Sequence, residues 1–186
     1  MIPPLFHRWY LKNGCIFFTR IILEYIIFYE RSVLKTLLKA FLFLIVLVWC
    51  LGIFVDWFVQ YNENLVFTIP FLKKSYSLVC HQETNKLISE GNFHTMVCAR
   101  CTGIYLGALV SSLTLFFISL PGKLNIKYLL LSAIPMIMDI IFYTTGLYQY
   151  SKIIALATGF LSGSVGFLYF YYGLENLINE LKIKPG

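Results

Sequence analysis

The feature that most constrains this chain is a set of four apolar runs, each close to the length of a membrane span. The runs contain 19 to 22 residues, and a helix rising 1.5 Å per residue needs about 20 to cross a hydrocarbon core of about 30 Å. Polar and apolar residues do not alternate along them, so helices rather than barrel strands would satisfy their backbone in lipid. The predicted spans are Leu37–Phe58, Thr102–Leu120, Tyr128–Leu147 and Ile153–Tyr172.

The composition excludes a disordered chain and disfavours a water-soluble domain. Apolar residues make up 59% of the chain and charged residues only 13%, whereas about 25% of a soluble domain is charged. The net charge of +6 comes from Lys and Arg beside the apolar runs, which favours lipid headgroups over nucleic acid as the partner. We therefore predict an all-α, polytopic membrane protein, a four-helix transmembrane bundle in contact with the lipid bilayer.

A shorter apolar stretch, Cys15–Tyr29, precedes these spans and is interrupted by Arg20 and Glu24. That spacing puts both charges on one helix face, which predicts an N-terminal amphipathic helix in the membrane interface. A fifth span is the alternative, at the cost of two charges inside the membrane. The expected organisation is an interfacial segment at 1–36 and a four-span membrane domain at 37–186, whose outer loop covers 59–100.

The distribution of Lys and Arg predicts the orientation. Ten of these residues fall in the N-terminal region, the link between spans two and three, and the C-terminal tail, against five on the opposite side. The positive-inside rule then puts both termini in the cytoplasm and the loop 59–100 outside.

Cysteine and histidine residues cluster in that outer loop. Three of the five cysteines and two of the three histidines fall within 22 residues. A pair of cysteines separated by two residues can present two sulfurs to one ion, and a third cysteine with one histidine completes the Cys3His set of many structural zinc sites. The candidate ligands are Cys80, His81, His94, Cys98 and Cys101, and the spacing does not choose between the two histidines.

If the second span begins near Cys98, the amide groups and dipole of its first turn stabilise thiolates there. Arg100 adds positive charge to the same turn. Both effects favour the thiolate that metal ligation or nucleophilic attack requires.

Asp139 is the one charged residue of the third span. A carboxylate at that depth needs a partner inside the bundle, and Arg100 enters from the same side, with Tyr105 and Thr102 as neutral alternatives. Either a polar tie between helices or a proton or ion relay fits this residue. Small residues four apart, at Gly103, Gly107 and Ser111 and at Gly159 and Gly163, predict close packing of spans two and four.

The segments CHQ and CARCTGIYLG, followed by PMIMDIIFYTTGL and ATGFLSG, cover about residues 76 to 172. In this order they resemble the domain-of-unknown-function 2085 family of predicted prokaryotic membrane proteins. The resemblance implies a multi-pass protein of a prokaryotic inner or cell membrane. It implies no activity.

The leading hypothesis is a metal-binding membrane protein whose outer loop holds zinc, with copper as the alternative ion. A quinone-coupled thiol–disulfide oxidoreductase similar to DsbB is the second hypothesis. Such relays use a second cysteine pair, which is absent near Tyr148 to Lys152, and three outer cysteines leave one unpaired. The third hypothesis is an accessory subunit with partner subunits in a larger membrane complex.

Overall fold

A computed structural model describes residues 33–91, 93–118 and 125–183, with side chains described up to residue 180. The predicted amphipathic helix at Cys15–Tyr29 and most of the segment 1–36 lie outside the described residues. The chain divides into two compact units, Met1–Ala40 and Phe41–Gly186. Residues 33–40, the described part of the first unit, are helical.

Four long helices confirm the predicted fold class. Each is long and apolar enough to cross a membrane, and the other regular elements among the described residues are short helices and one small two-stranded sheet. Their bounds are Val33–Ile53 (α1), Ala99–Phe117 (α4), Ile126–Thr144 (α5) and Lys152–Ile183 (α6).

The first span ends five residues earlier than predicted. The backbone leaves the helix at Phe54 (φ −101°, ψ 14°), and a separate short helix, α2, follows at Val55–Val59 with Asp56 in its first turn. The apolar run continues through Phe58, and hydrophobicity does not mark the break at Phe54. The predicted span was therefore too long at this end.

The segment predicted as an outer loop is largely folded. A 3₁₀ helix at Glu63–Thr68 leads into α3 at Ile69–Ser77. An antiparallel hairpin follows, formed by β1 (Leu87–Glu90) and β2 (Phe93–Cys98), with Gly91 at positive φ in its turn. The register pairs Ser89 with His94 and Leu87 with Cys98, with an irregularity between Leu87 and Ser89.

Glycine allows α4 and α6 to pack with their backbones in contact, as the small-residue spacing predicted. A Cβ on Gly103 or Gly107 would collide with the backbone of α6, and one on Gly163 with the backbone of α4. The Ser111 hydroxyl also donates to the Ser164 carbonyl at 3.0 Å. The α5 helix joins the same α6 through a hydrogen bond from the Ser162 hydroxyl to the Ser132 carbonyl at 2.9 Å.

A small core lies where α1, α3, β2 and α4 meet. Its buried members are Ile53, Tyr76, Cys80 and Val97. The Tyr76 hydroxyl donates to the Trp49 carbonyl at 2.6 Å, and the two rings pack edge to face with centroids 4.7 Å apart. This contact fixes α3 against α1 and brings the end of α3, with Cys80, beside the start of α4.

Candidate metal centre

Three cysteine sulfurs from separate parts of the sequence converge at the start of α4. Cys98 is the last residue of β2 and the N-cap of α4, Cys101 lies in the first turn of that helix, and Cys80 follows α3. Their Sγ atoms all lie within 4.8 Å of one another. Sulfurs bound to one tetrahedral zinc at about 2.3 Å stand about 3.8 Å apart, so this group could hold a metal ion after small side-chain movements.

Backbone hydrogen bonds fix the position of Cys80. Its N–H donates to the Tyr76 carbonyl at 2.9 Å, at the end of α3. Its sulfur accepts the Cys98 N–H at 3.2 Å, which joins this part of the chain directly to the N-cap of α4. The core residue Tyr76 therefore positions the sulfur of Cys80, and β2 positions the sulfur of Cys98.

Gln82 supports the same turn with an unusual backbone conformation. Its φ is 51°, the only positive value of a non-glycine among the described residues. The side-chain amide donates to the Lys73 carbonyl of α3 at 3.1 Å and to the Met96 carbonyl of β2 at 3.0 Å. Gln82 thus links the two elements that deliver Cys80 and Cys98.

The local polar groups favour a thiolate at Cys98. The Cys101 thiol and the backbone N–H groups of Cys101 and Arg100, together with the Cys80 thiol, lower the pKa of Cys98 well below the ordinary thiol value, although partial burial opposes the shift. The helix does begin beside Cys98, as the sequence argument required. A thiolate at this point is available to a soft metal ion or to an electrophile.

The two candidate histidines occupy different surroundings. His81 is exposed and lines a cavity of about 320 Å³ together with all three cysteines, Arg100 and Lys86. His94 is also exposed, but it lines a separate depression of about 250 Å³ with Asp56, whose carboxylate accepts a hydrogen bond from the backbone N–H of His94 at 2.9 Å. Neither imidazole belongs to the group of ligand atoms that the three cysteines form in the described part of the chain.

Asp139 has the charged partner that its depth requires. Its carboxylate forms an ion pair with the Arg100 guanidinium and accepts a hydrogen bond from the Tyr148 hydroxyl. Arg100 was the expected partner, whereas Thr102 instead donates to the Cys98 carbonyl at 3.2 Å. The ion pair joins the first turn of α4 to α5, next to the three sulfurs.

Two polar atoms near this pair have no hydrogen-bond partner among the described residues. They are Arg100 Nε and the Tyr150 hydroxyl. Burial raises the pKa of Tyr150 to about 12, so the hydroxyl stays protonated at neutral pH. Its ring packs edge to face on Tyr143, and Lys86 Nζ lies 4.8 Å from the centroid of the Tyr143 ring. Lys86, which directly precedes β1, is thereby in contact with the end of α5 and with the link between α5 and α6.

Residues 80–169 match the family of predicted membrane proteins known as DUF2085. An uncharacterised protein of Methanocaldococcus jannaschii is 35% identical over 91 residues, which cover 47% of this chain and 58% of that protein. An uncharacterised protein of Methanothermobacter thermautotrophicus is 30% identical over 106 residues, which cover 55% of this chain and 93% of that protein. This chain belongs to the DUF2085 family.

The DUF2085 match runs from Cys80 to Tyr169 and so contains all three cysteines, the hairpin, α4, α5 and the first part of α6. It starts after α1 and α3, which carry Trp49 and Tyr76. No solved structure matches the chain significantly.

Sequence reasoning missed three supporting residues, Gln82, Tyr148 and Tyr150. Gln82 was visible as the third letter of the CHQ segment, but its role depends on the fold of β2. Tyr148 and Tyr150 resemble the many tyrosines that sit at membrane interfaces, and nothing in their spacing marks them as neighbours of Asp139 and Arg100.

Proposed function

We propose that this DUF2085 protein binds one metal ion on the outer side of the membrane, and that the ion is zinc. Cys80, Cys98 and Cys101 would supply three thiolates. The observation that carries the proposal is the convergence of Cys80 on the cysteine pair, within 4.8 Å, across 17 intervening residues. A metal site requires several ligands to converge in this way, whereas loop thiols without a shared ligand have no need to converge.

His81 is the fourth ligand that we propose. It follows Cys80 directly and borders the cavity that contains the three sulfurs, whereas His94 lies beside Asp56 in another depression. One imidazole and three thiolates form a tetrahedral set that suits zinc, while three thiolates alone suit copper(I). The identity of the fourth ligand therefore bears on the identity of the ion.

Bound metal would stabilise the fold of the outer segment. The three thiolates come from the end of α3, the end of β2 and the first turn of α4, so one ion would cross-link all three elements. Because ligands must lose protons and come together, metal binding and local folding are coupled. We propose a structural or ligand-presenting role for this metal.

Elemental analysis of purified protein tests the proposal. We expect about one zinc per chain in the wild type and none in the Cys98→Ser/Cys101→Ser variant. Cys50→Ser is the matched control, because Cys50 is a buried thiol of α1 outside the three-sulfur group, and it should retain the metal. Wild-type protein that is folded and metal-free after purification with added zinc would refute the proposal.

His81→Ala separates the two ions. For a zinc site with His81 as ligand, the variant should bind zinc at least about 10–100-fold more weakly, because losing even a residue that only orients a ligand typically costs that much. His94→Ala should leave the affinity unchanged. For copper(I) on three thiolates, both variants should bind as the wild type does.

A thiol–disulfide oxidoreductase is the second candidate function. It is favoured by the contact between Cys98 and Cys101, in which the Cys101 thiol stabilises a Cys98 thiolate. An apolar cleft of about 460 Å³, lined by Trp49, Ile104 and Tyr105 among others, lies one helical turn from Cys101. In this reaction the dithiol would pass two electrons and two protons to a lipid-soluble quinone and become a disulfide.

Thiol titration under anaerobic conditions with a chelator distinguishes the two functions. A zinc site yields three outer thiols that become reactive only after chelation. A redox relay yields a Cys98–Cys101 disulfide that appears with oxidised quinone and disappears with reductant. Partner subunits of a membrane complex, the third hypothesis, remain a prediction, and co-purification from native membranes tests it.

A further inference from the structure

The outer segment exposes an apolar stripe that neither the bundle nor the three-cysteine group uses. Phe67, Phe71 and Leu78 are 86%, 74% and 84% exposed. In an α-helix, residues three and four positions apart lie on the same face, so Phe71, Lys74 and the C-cap Leu78 line one side of α3, and Phe67 is exposed in the 3₁₀ helix directly before it. We name this set the outer stripe.

The opposite side of α3 is fastened to α1. Leu72 and Tyr76 face inward, and a Cβ on Gly52 would meet both of them. The hydrogen bond from Tyr76 reaches the Trp49 carbonyl, four residues before α1 ends at Ile53. At 1.5 Å per residue this carbonyl lies about 6 Å inside the end of the helix.

That contact fixes the position of α3 relative to the end of α1. The 21 residues of α1 give a length of about 31 Å, close to the thickness of the hydrocarbon core. A bilayer-spanning α1 would place its last turn at the boundary between acyl chains and headgroups, with α3 beside it. Amphipathic helices in membranes bury their apolar face about 5–10 Å into this boundary.

The surroundings of the stripe match a lipid surface. The apolar side chains of Leu44, Val48 and Leu51 in the same α1 are also exposed, as in a helix that faces lipid. Lys73 and Lys74 are exposed, and lysines at this level extend their ammonium groups to lipid phosphates while their stems stay on apolar surface. A water-exposed loop would place three large apolar side chains in solvent without compensation.

We propose that the outer stripe is a membrane-binding face that holds α3 in the outer leaflet of the same bilayer that the four helices span. The partner is lipid, with anionic headgroups meeting Lys73 and Lys74. The consequence is that Cys80, which directly follows α3, is kept at headgroup level. This inference does not depend on the identity or presence of a metal.

Photo-crosslinking of full-length protein in vesicles of phosphatidylcholine and phosphatidylglycerol tests the proposal. The photoreactive residue p-benzoylphenylalanine replaces Phe71 or Leu78, and Glu90 at the exposed end of the hairpin serves as the control. We expect intact-mass adducts with lipid at positions 71 and 78, several-fold above position 90. Lipid adducts no more frequent at 71 and 78 than at 90, or crosslinks at 71 to a second copy of the chain, would overturn it.

A second measurement does not require the photoreactive residue. Tryptic cleavage after Lys73 and Lys74 in the vesicles should become several-fold faster in Phe67→Ser/Phe71→Ser. Phe67→Leu/Phe71→Leu keeps the apolar surface and should be cleaved at the wild-type rate. Equal rates in the serine and leucine variants would contradict lipid binding by the stripe.

Discussion

At the scale of single residues, Gln82 is the clearest case in which local strain supports a site. A non-glycine residue in the left-handed region costs on the order of 1–2 kcal/mol, and this one adopts a φ of 51° while donating hydrogen bonds to the Lys73 and Met96 carbonyls. A glycine at position 82 would relieve the backbone strain, but it would also remove the side-chain amide that donates these two hydrogen bonds. At position 82, the two hydrogen bonds of the glutamine side chain therefore outweigh the cost of the strained backbone conformation.

We predict that Gln82→Ala weakens metal binding while leaving the three cysteines in place. Loss of groups that orient metal ligands typically lowers affinity about 10–100-fold, and α3 and β2 would no longer be joined by the amide. Competition with a zinc chelator measures the change. Gln149→Ala, at an exposed glutamine outside the site, is the control, and equal affinity of the two variants would show that Gln82 does not position the ligands.

The Arg100–Asp139 ion pair carries a second prediction at this scale. Removing one partner of a buried pair leaves an uncompensated charge and typically costs about 3–5 kcal/mol, so Asp139→Ala should strongly lower the free energy of unfolding in detergent micelles. Arg100→Met/Asp139→Leu, which removes both charges, should recover most of the loss. Glu83→Gln breaks the exposed pair with Lys86 and should have no measurable effect.

An outcome in which Asp139→Ala is as stable as the wild type would mean that the carboxylate is not a tie between α4 and α5. The relay reading of Asp139 would then gain support, and proton-linked transport in vesicles would test it.

Residue-level expectations were reliable where chemistry left few alternatives. A carboxylate inside a span needs a cation or a donor, which made Arg100 predictable as the partner of Asp139. The grouping of Cys80 with Cys98 and Cys101 was predictable from their spacing in the sequence. The spacing does not choose between His81 and His94, because the surroundings of each histidine depend on tertiary contacts, such as the hydrogen bond from the His94 backbone N–H to Asp56.

At the scale of elements, the spans were easy to predict and the segment between α1 and α4 was not. Long apolar runs report helices directly because lipid admits few other structures. The hairpin strands contain only four and six residues, and their stability comes from contacts with α2, α3 and α4 rather than from their own pattern. Such tertiary stabilisation leaves little signal in the local sequence.

The glycines of the helix interfaces provide a prediction with an internal control. Gly107→Ala would place a Cβ against the Phe160 carbonyl and the Ser164 amide of α6, so the helices must separate and the protein should be less stable. Gly166→Ala meets nothing within 4 Å and should be neutral, or stabilising by about 0.5–1 kcal/mol because alanine favours the helix. Unfolding by sodium dodecyl sulfate in mixed micelles compares them, and equal stabilities would contradict backbone contact between α4 and α6.

At the scale of the whole molecule, the features described above converge at one end of the bundle. The end of α1, the hairpin and the three sulfurs lie together, with α3 beside them. The DUF2085 match covers the part that bears all three sulfurs, while α1 and α3 precede it. The part of the chain that matches the family therefore contains all the proposed metal ligands. The preceding α1 and α3 pack beside these ligands and, by our inference, contact lipid.

The orientation of this end relative to the membrane gives the last prediction. Four spans return the chain to the side on which the first begins, and the ten Lys and Arg residues on the side opposite the hairpin, against five beside it, predict that the hairpin faces outward. A fluorescent protein fused after Gly186 should fold in the cytoplasm and fluoresce. Alkaline phosphatase inserted after Gly91 should be active, since it requires disulfides that form outside the cytoplasm.

If the orientation is opposite to the prediction, the C-terminal fusion should not fluoresce and the inserted alkaline phosphatase should be inactive. Replacing Lys123 and Lys127 by glutamine weakens the charge bias of the link that we predict to be cytoplasmic and should produce a mixed population. Replacing Lys73 and Lys74 should not, because it strengthens the same bias. If the C-terminal fusion fluoresces and the alkaline phosphatase in the hairpin is inactive, the hairpin lies on the cytoplasmic side. The proposed zinc site would then face a reducing compartment, in which three free thiols need no metal to remain reduced.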